Sequence, residues 1–299
     1  MGLQDQAKAK VNLSLKVLGR RQDGYHDLLG LMARIDLGDQ IELKVAPDSD
    51  ILVHQGLSEI DDGYMGSSNL AIRALNLYRE LTGWPDFPVK INLTKNIPLG
   101  SGMGGGSSDA ATVLRLLNRS AKLSPADLWA LSVRLGGDVP FFLQEASLRL
   151  ASGIGEILRP WPYELPGRYL LLVNPGFKLS TGQVFEKLGL TTGESSSKSL
   201  NAIARIEARL GDIQKPELGD NDLYWPALAI KPELKDIFRL IKEVTPSPLA
   251  AGLSGSGPTF WALFSHLSQA QMAKVCFESL VSKLPKRDLK WWLRVTTIA

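Results

Sequence analysis

The chain has 299 residues, roughly twice the ~150-residue size of a typical single domain, so two domains are predicted. Hydrophobic residues make up 44% of the chain and charged residues 22%, and this globular composition excludes a disordered or low-complexity protein. Lys and Arg number 34 against 31 Asp and Glu. The resulting net charge of +3 is too small to predict binding to nucleic acid or to an anionic membrane.

Cysteine and histidine usage excludes two further classes of protein. The single cysteine, Cys276, cannot form an internal disulfide, and three histidines without suitable spacing make no zinc site. The N-terminus lacks the basic and apolar regions of a signal peptide, and no apolar stretch approaches the ~18 residues of a membrane span. We therefore expect a cytoplasmic protein.

The first predicted element is a half-buried strand in which apolar and polar residues alternate. Its apolar face would hold Val11, Leu13, Leu15 and Val17, and its polar face Lys10, Asn12, Ser14 and Lys16. Lys10 and Asn12 therefore share a face. A polar turn over 19–24 breaks the pattern, and Tyr25 and His26 follow it, next to a loop of the kind that often carries function.

A second alternating strand is predicted over 89–93 and leads towards a glycine cluster. A helix is predicted after the cluster, beginning at Ser107 or Ser108, because apolar residues recur there at helical spacing and serine favours a helix start. The next helix is bounded by a serine cap followed by proline at Ser124 and Pro125, and by glycine at Gly136.

The second half of the chain begins after a segment rich in turn residues, 151–162. We place a domain boundary in this segment, which gives an N-terminal domain over 1–155 and a C-terminal domain over 156–299. A buried strand is predicted over 169–173.

Further along, helices are predicted over 200–210 and 234–244, and a strand over 259–264. Strands and helices interleave without regular βαβ units, so the fold class predicted is α+β.

The strongest sequence feature is a glycine-rich segment with five glycines between residues 100 and 106 that leads directly into a predicted helix. Glycine lets the backbone approach an anion, and the first N–H groups of a helix are unsatisfied and lie at the positive end of its dipole. The segment therefore predicts phosphate binding rather than a flexible linker. It comprises Pro98, Leu99, Gly100, Ser101, Gly102, Met103, Gly104, Gly105, Gly106, Ser107 and Ser108.

Three familiar nucleotide loops fit this segment poorly. A Walker A loop needs lysine where Gly106 stands. Gly100, Gly102 and Gly105 match the dinucleotide-binding pattern, but the acidic residue expected at a strand end about 20 positions later is missing. The His-Arg-Asp and Asp-Phe-Gly tripeptides of protein kinases do not occur.

The pattern Pro-x-x-x-Gly-x-Gly-Gly-Gly-Ser-Ser-Asp-Ala-Ala resembles the ATP-binding motif of the galactokinase, homoserine kinase, mevalonate kinase and phosphomevalonate kinase (GHMP) superfamily. The resemblance covers nearly the whole chain, and the Asp-Gly-Tyr-His turn marks the branch with a cytidine-bearing substrate. It continues through residues 9–13, 19–26, 68–70, 135–140, 174–176, 221–223 and 254–257.

The resemblance implies ATP-dependent phosphorylation of the 2-hydroxyl of a cytidine diphosphate-linked methylerythritol, in the non-mevalonate route to isoprenoid precursors. It assigns Asp138 as general base and Lys10 as its charged partner, which suits phosphoryl transfer to an alcohol. The pattern alone would favour a solvated strand lysine and a capping or turn aspartate. ATP and Mg²⁺ are the implied cofactors, and the hydroxyl of Ser107 or Ser108 could reach the ion.

For the substrate, the resemblance implies that Tyr25 and Phe185 sandwich the cytosine and that His26 and Asn12 read its polar edge or the nearby substrate groups. Aromatic faces and a hydrogen-bonding imidazole are what a flat pyrimidine requires. Thr181 would supply a further hydroxyl contact. The glycines of 254–257 match the third glycine motif of the superfamily, although a plain turn before a strand is an alternative interpretation.

The implied fold has an N-terminal domain like the second domain of ribosomal protein S5 and a ferredoxin-like C-terminal domain, with the active site in the cleft between them. The partner would be a small-molecule substrate, with no nucleic acid or membrane, and the chain a monomer or weak homodimer. A homoserine-type sister kinase would not need Tyr25, His26 and Phe185. A catalytically silent nucleotide-binding module would be expected to lose Lys10 or Asp138, and an NAD-binding oxidoreductase lacks its acidic residue.

Overall fold

The computed structural model describes residues 2–56, 68–121, 123–162, 164–193, 218–282 and 289–299, so the helix predicted over 200–210 lies outside the described residues. The chain forms two compact units, each assembled from three stretches. The first comprises Met1–Ala9, Leu37–Pro98 and Gly104–Ala146, and the second Lys10–Asp36, Leu99–Met103 and Ser147–Ala299.

The first unit contains a sheet in which strand β5 (Val89–Lys95) lies between strands β4 (Ile51–Gly56) and β3 (His26–Val45). β5 pairs in parallel with β4 and antiparallel with the C-terminal part of β3, which also pairs with β1. Alternate residues of β5 are buried, from Val89 through to Lys95. These strands are β1 (Gly2–Asn12), β3 (His26–Val45), β4 (Ile51–Gly56) and β5 (Val89–Lys95).

Four helices of the first unit pack on one another, with α2 contacting each of the other three. The side chain of Asn69 accepts a hydrogen bond from the Ala71 N–H at the start of α1, and Gly83 ends that helix with a left-handed φ of 68°. The helices are α1 (Leu70–Thr82), α2 (Gly105–Ala121), α3 (Pro125–Leu135) and α4 (Val139–Leu143).

The two helices predicted around the glycine cluster differ in outcome. α3 confirms the prediction, because Ser124 caps the helix, Pro125 is its first residue and Gly136 follows its last. The start of α2 predicted at Ser107 or Ser108 was wrong by two or three residues, since this helix begins at Gly105. Glycine is a poor helix former, but at the first positions of a helix its N–H has no intrahelical partner in any case.

The single strand predicted over 10–17 is two strands. β1 ends at Asn12, and β2 (Lys16–Arg20) begins after an irregular stretch. The polar face is also not exposed at its start, because Lys10 and Asn12 are both buried. An alternating pattern identifies which residues share a face but cannot tell whether a polar face is covered.

In the second unit, the N-terminal part of β3 pairs antiparallel with β2 and with β6 (Leu148–Gly153). β6 in turn forms a hairpin with β7 (Ile157–Pro160). The domain boundary predicted after residue 155 falls at this hairpin turn and stays a prediction.

The rest of the second unit is a four-stranded antiparallel sheet in the order β11-β8-β10-β9. Along the chain this unit consists of strand β8, helix α7 (Leu234–Glu243), strands β9 and β10, helix α8 (Leu267–Ser282) and strand β11. This succession and the order of the strands in the sheet are those of a ferredoxin-like βαββαβ unit, as predicted. Two short helices, α5 and α6, lie between β8 and α7 in sequence. The elements are β8 (Tyr169–Asn174), α5 (Thr181–Glu186), α6 (Tyr224–Ile230), α7 (Leu234–Glu243), β9 (Ala250–Leu253), β10 (Phe260–Phe264), α8 (Leu267–Ser282) and β11 (Trp292–Thr297).

Two sheets with helices confirm the predicted α+β class. Among the residues that the structure describes, no helix has both the length and the apolar character needed to cross a membrane.

Candidate active site

The glycine-rich segment adopts a backbone that depends on its glycines. Gly100, Gly102 and Gly104 have φ angles of 61°, 76° and 69°, a left-handed region that other residues rarely enter. Alternation of such residues with ordinary ones turns successive backbone N–H groups towards one concavity, which is a typical anion site. The segment then passes directly into α2, whose first N–H groups have no acceptor within the helix.

The glycine segment packs against the third glycine motif within the second unit. A Cβ added to Gly102 would lie 2.2 Å from the Ser254 carbonyl oxygen, so only glycine fits there. The Ser254 hydroxyl donates to the Gly102 carbonyl at 2.9 Å, and the Thr259 N–H donates to the Ser101 carbonyl at 3.3 Å. The motif at 254–257 is therefore a support for the loop backbone and more than a plain turn.

Lys10 lies against the same loop, although a strand lysine is usually solvated. Its side chain is 3% exposed, its N–H donates to the Met103 carbonyl at 3.1 Å, and its ammonium donates to Asn12 Oδ1 at 2.5 Å. A buried ammonium is costly unless polar or anionic groups compensate it. Its position therefore favours a functional role over the solvated one.

Asn12 is held by contacts along its backbone. Its N–H donates to the Ser254 hydroxyl at 3.3 Å, and its carbonyl accepts from the indole N–H of Trp261 at 2.9 Å. Trp261 is fully buried on β10. The structure thus brings Lys10, Asn12 and the loop together. Sequence reasoning missed Trp261, because a tryptophan within an apolar strand gives no signal of its partner.

Asp138 lies in the first unit, immediately before α4. It occupies the N-cap position of this helix, but its side chain makes no capping hydrogen bond and is half-buried. Asp138 therefore lies at a turn before the helix, as the alternative interpretation expects, but its side chain does not cap the helix.

The predicted substrate residues of the second unit include a stacked aromatic pair. The rings of His26 and Phe185 lie 4.6 Å apart with an interplanar angle of 30°. Burial and the positive charge of Arg20 lower the pKa of His26 below its usual 6.5, so the imidazole is neutral at pH 7. Tyr25 is 59% exposed, which leaves its ring accessible to a ligand.

Thr181 is also connected to the third glycine motif. Thr181 is the first residue of α5, the helix that also carries Phe185, and its hydroxyl lies 2.9 Å from the Ser256 hydroxyl. Asn221 also bonds to this motif and to the residue before it, because its side-chain amide donates to the carbonyls of Gly255 and Leu253.

The first unit contains a buried charge cluster that sequence reasoning missed. Lys95 contacts Asp39 and Asp109, and all three residues are at most 1% exposed. A signal was present in the sequence: the alternation of β5 places Lys95 on the same buried face as Val89, although lysine normally avoids such positions.

The two serines considered for Mg²⁺ differ in their surroundings. Ser108 is buried and its hydroxyl donates to the Lys8 carbonyl at 2.6 Å, whereas Ser107 is half-buried. A serine oxygen at a helix start that is predicted to bind phosphate would suit a hard cation that takes oxygen ligands and keeps several waters.

Family models match both halves of the sequence. The GHMP kinases N terminal domain matches residues 69–145, and the GHMP kinases C terminal domain matches residues 199–280.

Similar proteins extend these matches along the whole chain. The chain is 38% identical over 299 residues to 4-diphosphocytidyl-2-C-methyl-D-erythritol kinase of Chelativorans sp. (strain BNC1), covering 99% of this chain and 96% of that protein. It is 40% identical over 278 residues to the enzyme of the same name from Geobacter sp. (strain M21), covering 91% and 92%.

Solved structures match the chain as the family models and the sequence relatives do. A crystal structure of 4-(cytidine 5'-diphospho)-2C-methyl-D-erythritol kinase matches with a TM-score of 0.70 and 33% identity, covering 99% of both chains. Homoserine kinase from Cytophaga hutchinsonii matches with a TM-score of 0.69 and only 17% identity, covering 99% of this chain and 95% of that chain, and so shares the fold. The chain therefore belongs to the GHMP kinase superfamily and, within it, to the 4-diphosphocytidyl-2-C-methyl-D-erythritol kinase family of ATP-dependent small-molecule kinases.

Proposed function

We propose that this kinase transfers the γ-phosphoryl group of ATP to the 2-hydroxyl of 4-diphosphocytidyl-2-C-methyl-D-erythritol, in the non-mevalonate isoprenoid precursor pathway. The printed names of relatives that are 38% and 40% identical support the substrate. The observation that carries the chemistry is the buried Lys10, bonded through its backbone to the glycine loop and through its ammonium to Asn12.

The glycine loop, residues 98–108, is proposed to bind the ATP phosphates. Its left-handed glycines give the alternating backbone of a typical anion site, and the start of α2 offers N–H groups at the positive end of a helix dipole. The side chains of Ser101 and Met103 are buried, so these two residues would contact phosphate through their backbone.

Lys10 is proposed to stabilise the transferring phosphoryl group. Negative charge is spread over the equatorial oxygens of this group in the transition state, and a fixed ammonium stabilises it without reorganisation. The hydrogen bond to Asn12 and the burial of the side chain fix the position of the ammonium in advance.

Asp138 is proposed as the general base. Its carboxylate would accept the proton of the substrate hydroxyl while the oxygen forms its bond to phosphorus and the bond to ADP breaks. This residue is half-buried at the turn that precedes α4.

The cytosine is proposed to lie at the aromatic group formed by Tyr25, His26 and Phe185. Stacked against Phe185, the neutral imidazole of His26 has one nitrogen that donates and one that accepts, as a pyrimidine edge requires. The exposed ring of Tyr25 offers a second stacking surface, and Thr181 and Asn12 offer further polar contacts.

Mg²⁺ is proposed as the second cofactor. The hydroxyl of Ser107 would hold it, together with Ser108 if that hydroxyl exchanges its bond to Lys8. When bound, the ion would neutralise charge on the β- and γ-phosphates.

The substrate proposal is tested by measuring ADP formation with three acceptors: the cytidine-linked methylerythritol, homoserine and mevalonate. We expect turnover with the first acceptor alone, because only it has a base for the aromatic group to stack. Turnover with homoserine or mevalonate but not with the cytidine compound would contradict the proposal.

A further inference from the structure

The buried cluster of Lys95, Asp39 and Asp109 has no part in the reaction proposed above. The Lys95 ammonium lies 2.8 Å from Asp109 Oδ2 and also contacts Asp39 Oδ2. Burying three charged groups is costly, and apolar residues of similar volume would often serve stability as well or better. The retention of charge in such a place calls for a role beyond packing.

The cluster connects the two ends of the glycine loop. On the upstream side, Asp39 Oδ1 accepts the N–H groups of Asn96 at 2.6 Å and of Ile97 at 2.8 Å, immediately before the loop. On the downstream side, Asp109 lies near the start of α2, immediately after the loop. Lys95 joins the two carboxylates, so one continuous chain of charge-assisted bonds links residues 96–97 to the helix.

The start of α2 also rests on this cluster directly. A Cβ added to Gly105 would lie 3.4 Å from the Lys95 ammonium nitrogen and 3.1 Å from Ile97 Cγ2. The first residue of the helix therefore packs closely against the lysine and against a residue that Asp39 helps to hold.

We propose that Asp39, Lys95 and Asp109 are positioning residues, which fix the spacing between the two ends of the glycine loop and so hold the first N–H groups of α2 where ATP phosphates bind. This proposal rests on the proposed role of the loop in ATP binding. The effect is on geometry, because a displacement of about 1 Å in a binding group can cost on the order of a hundredfold in rate.

The test compares two substitutions of Asp109 by calorimetric titration with ADP. Asp109→Asn keeps an oxygen that can accept from Lys95 and removes only the carboxylate charge, which burial already disfavours by raising the pKa of Asp109 to about 7. Asp109→Leu has similar volume but no acceptor. We expect the Kd for ADP to change less than about threefold in Asp109→Asn and to rise about tenfold or more in Asp109→Leu.

Steady-state kinetics supply a second readout that a purely structural role would not give. In Asp109→Leu the KM for ATP should rise with the Kd for ADP, whereas the KM for the alcohol acceptor should stay within about twofold. Equal increases in both KM values, or equal ADP affinity in the Asn and Leu variants, would overturn the proposal.

Controls separate these outcomes from misfolding. Arg115 and Arg119 also lie on α2 and pair with Asp5 at 3.2 and 3.3 Å, so Asp5→Asn removes two ion pairs of the same helix without touching the cluster. Its ADP affinity should match the wild type. If Asp109→Leu fails to fold, Lys95→Met/Asp109→Leu replaces the charged pair by an apolar contact and should show the same loss. Failure of both variants to fold would assign the cluster to stability alone and refute the proposal.

The titration also distinguishes this proposal from the proposed function. ADP binding does not depend on the identity of the acceptor, so an incorrect acceptor leaves the test intact. If the wild type itself does not bind ADP, the proposed ATP site is wrong and the positioning proposal is overturned with it.

Discussion

The surroundings of Lys10 in the structure differ from those that its sequence pattern predicts. On the alternating pattern it shares the polar face of a strand with Asn12, and such faces usually meet water. In the folded chain both residues are almost fully buried and bonded to each other. The alternation correctly paired the two residues, but their burial depends on Trp261 and Ser254, which lie about 240 positions away along the chain.

Substitution of either proposed catalytic residue should reduce turnover without unfolding the protein. Lys10→Met keeps the length of the side chain and removes its charge, and Asp138→Asn removes the proton acceptor. We expect kcat to fall about a hundredfold or more in each case, the scale for loss of a positioned catalytic group.

The matched control is Lys44→Met, which removes an exposed strand lysine that pairs only with Glu42 at 2.8 Å among the described contacts of this side chain. Circular dichroism should show all three variants folded. A kcat within about threefold of wild type for Lys10→Met or Asp138→Asn would reject the role of that residue.

His26 gives the proposed cytosine site a dependence on pH. Because burial and Arg20 lower its pKa, the ring stays neutral at pH 7 and gains a proton only as the pH falls below its usual 6.5. Protonation removes the nitrogen that can accept a hydrogen bond. The KM for the cytidine substrate should therefore be flat from pH 8 to about 6.5 and rise below that, while the KM for ATP changes less.

His26→Phe isolates this effect, because phenylalanine preserves stacking on Phe185 but cannot titrate. The variant should have a raised KM for the cytidine substrate at every pH, without the additional rise at acid pH that distinguishes the wild type. An acid rise of equal size in both proteins would show that another group is responsible.

Among the elements, the glycine loop contains a position, Gly102, at which only glycine fits. At Gly102, a left-handed φ of 76° coincides with a close approach to the third glycine motif, since an added Cβ would lie 2.2 Å from the Ser254 carbonyl oxygen. Gly83, which ends α1, has a similar φ of 68° but nothing within 4 Å of an added Cβ. Substitutions at Gly83 and Gly102 can therefore separate the energetic cost of a left-handed backbone from the cost of steric overlap with a neighbour.

We expect Gly83→Ala to lower the free energy of unfolding by about 1 kcal/mol, the strain of a left-handed alanine. Gly102→Ala should cost about 3 kcal/mol or more, because the Ser254 backbone must also move, and should weaken ADP binding. Urea denaturation measures both. Similar losses for the two variants would show that the close approach at Gly102 is relieved without cost.

Helix boundaries illustrate which elements can be predicted locally. α3 has a serine cap, a proline and a terminal glycine, all within its own sequence, and it was predicted correctly at both ends. α2 starts with two glycines that no propensity scale favours, and its start depends on Lys95 and Ile97. A boundary set by tertiary contacts cannot be obtained from the helix sequence alone.

At the scale of the whole molecule, the α+β class and the ferredoxin-like unit were predictable, the first from the interleaving of strand and helix patterns and the second from family resemblance. The Asp39, Lys95 and Asp109 cluster was not, because its members are up to 70 positions apart in the numbering and belong to three different elements. Two faint signals existed: Lys95 continues the buried stripe of β5, and Asp109 lies one helical turn before the buried Val113 of α2.

The interleaving of the chain between the compact units has a consequence for genetics. Each unit uses three separate stretches, and any fragment long enough to keep the first unit whole, to Ala146, also carries Lys10–Asp36 and Leu99–Met103 of the second. A single recombination crossover between two diverged genes of this family would therefore join parts of one second unit to parts of another. Chimaeras that exchange matched internal segments should therefore fold more often than chimaeras made by joining an N-terminal half to a C-terminal half.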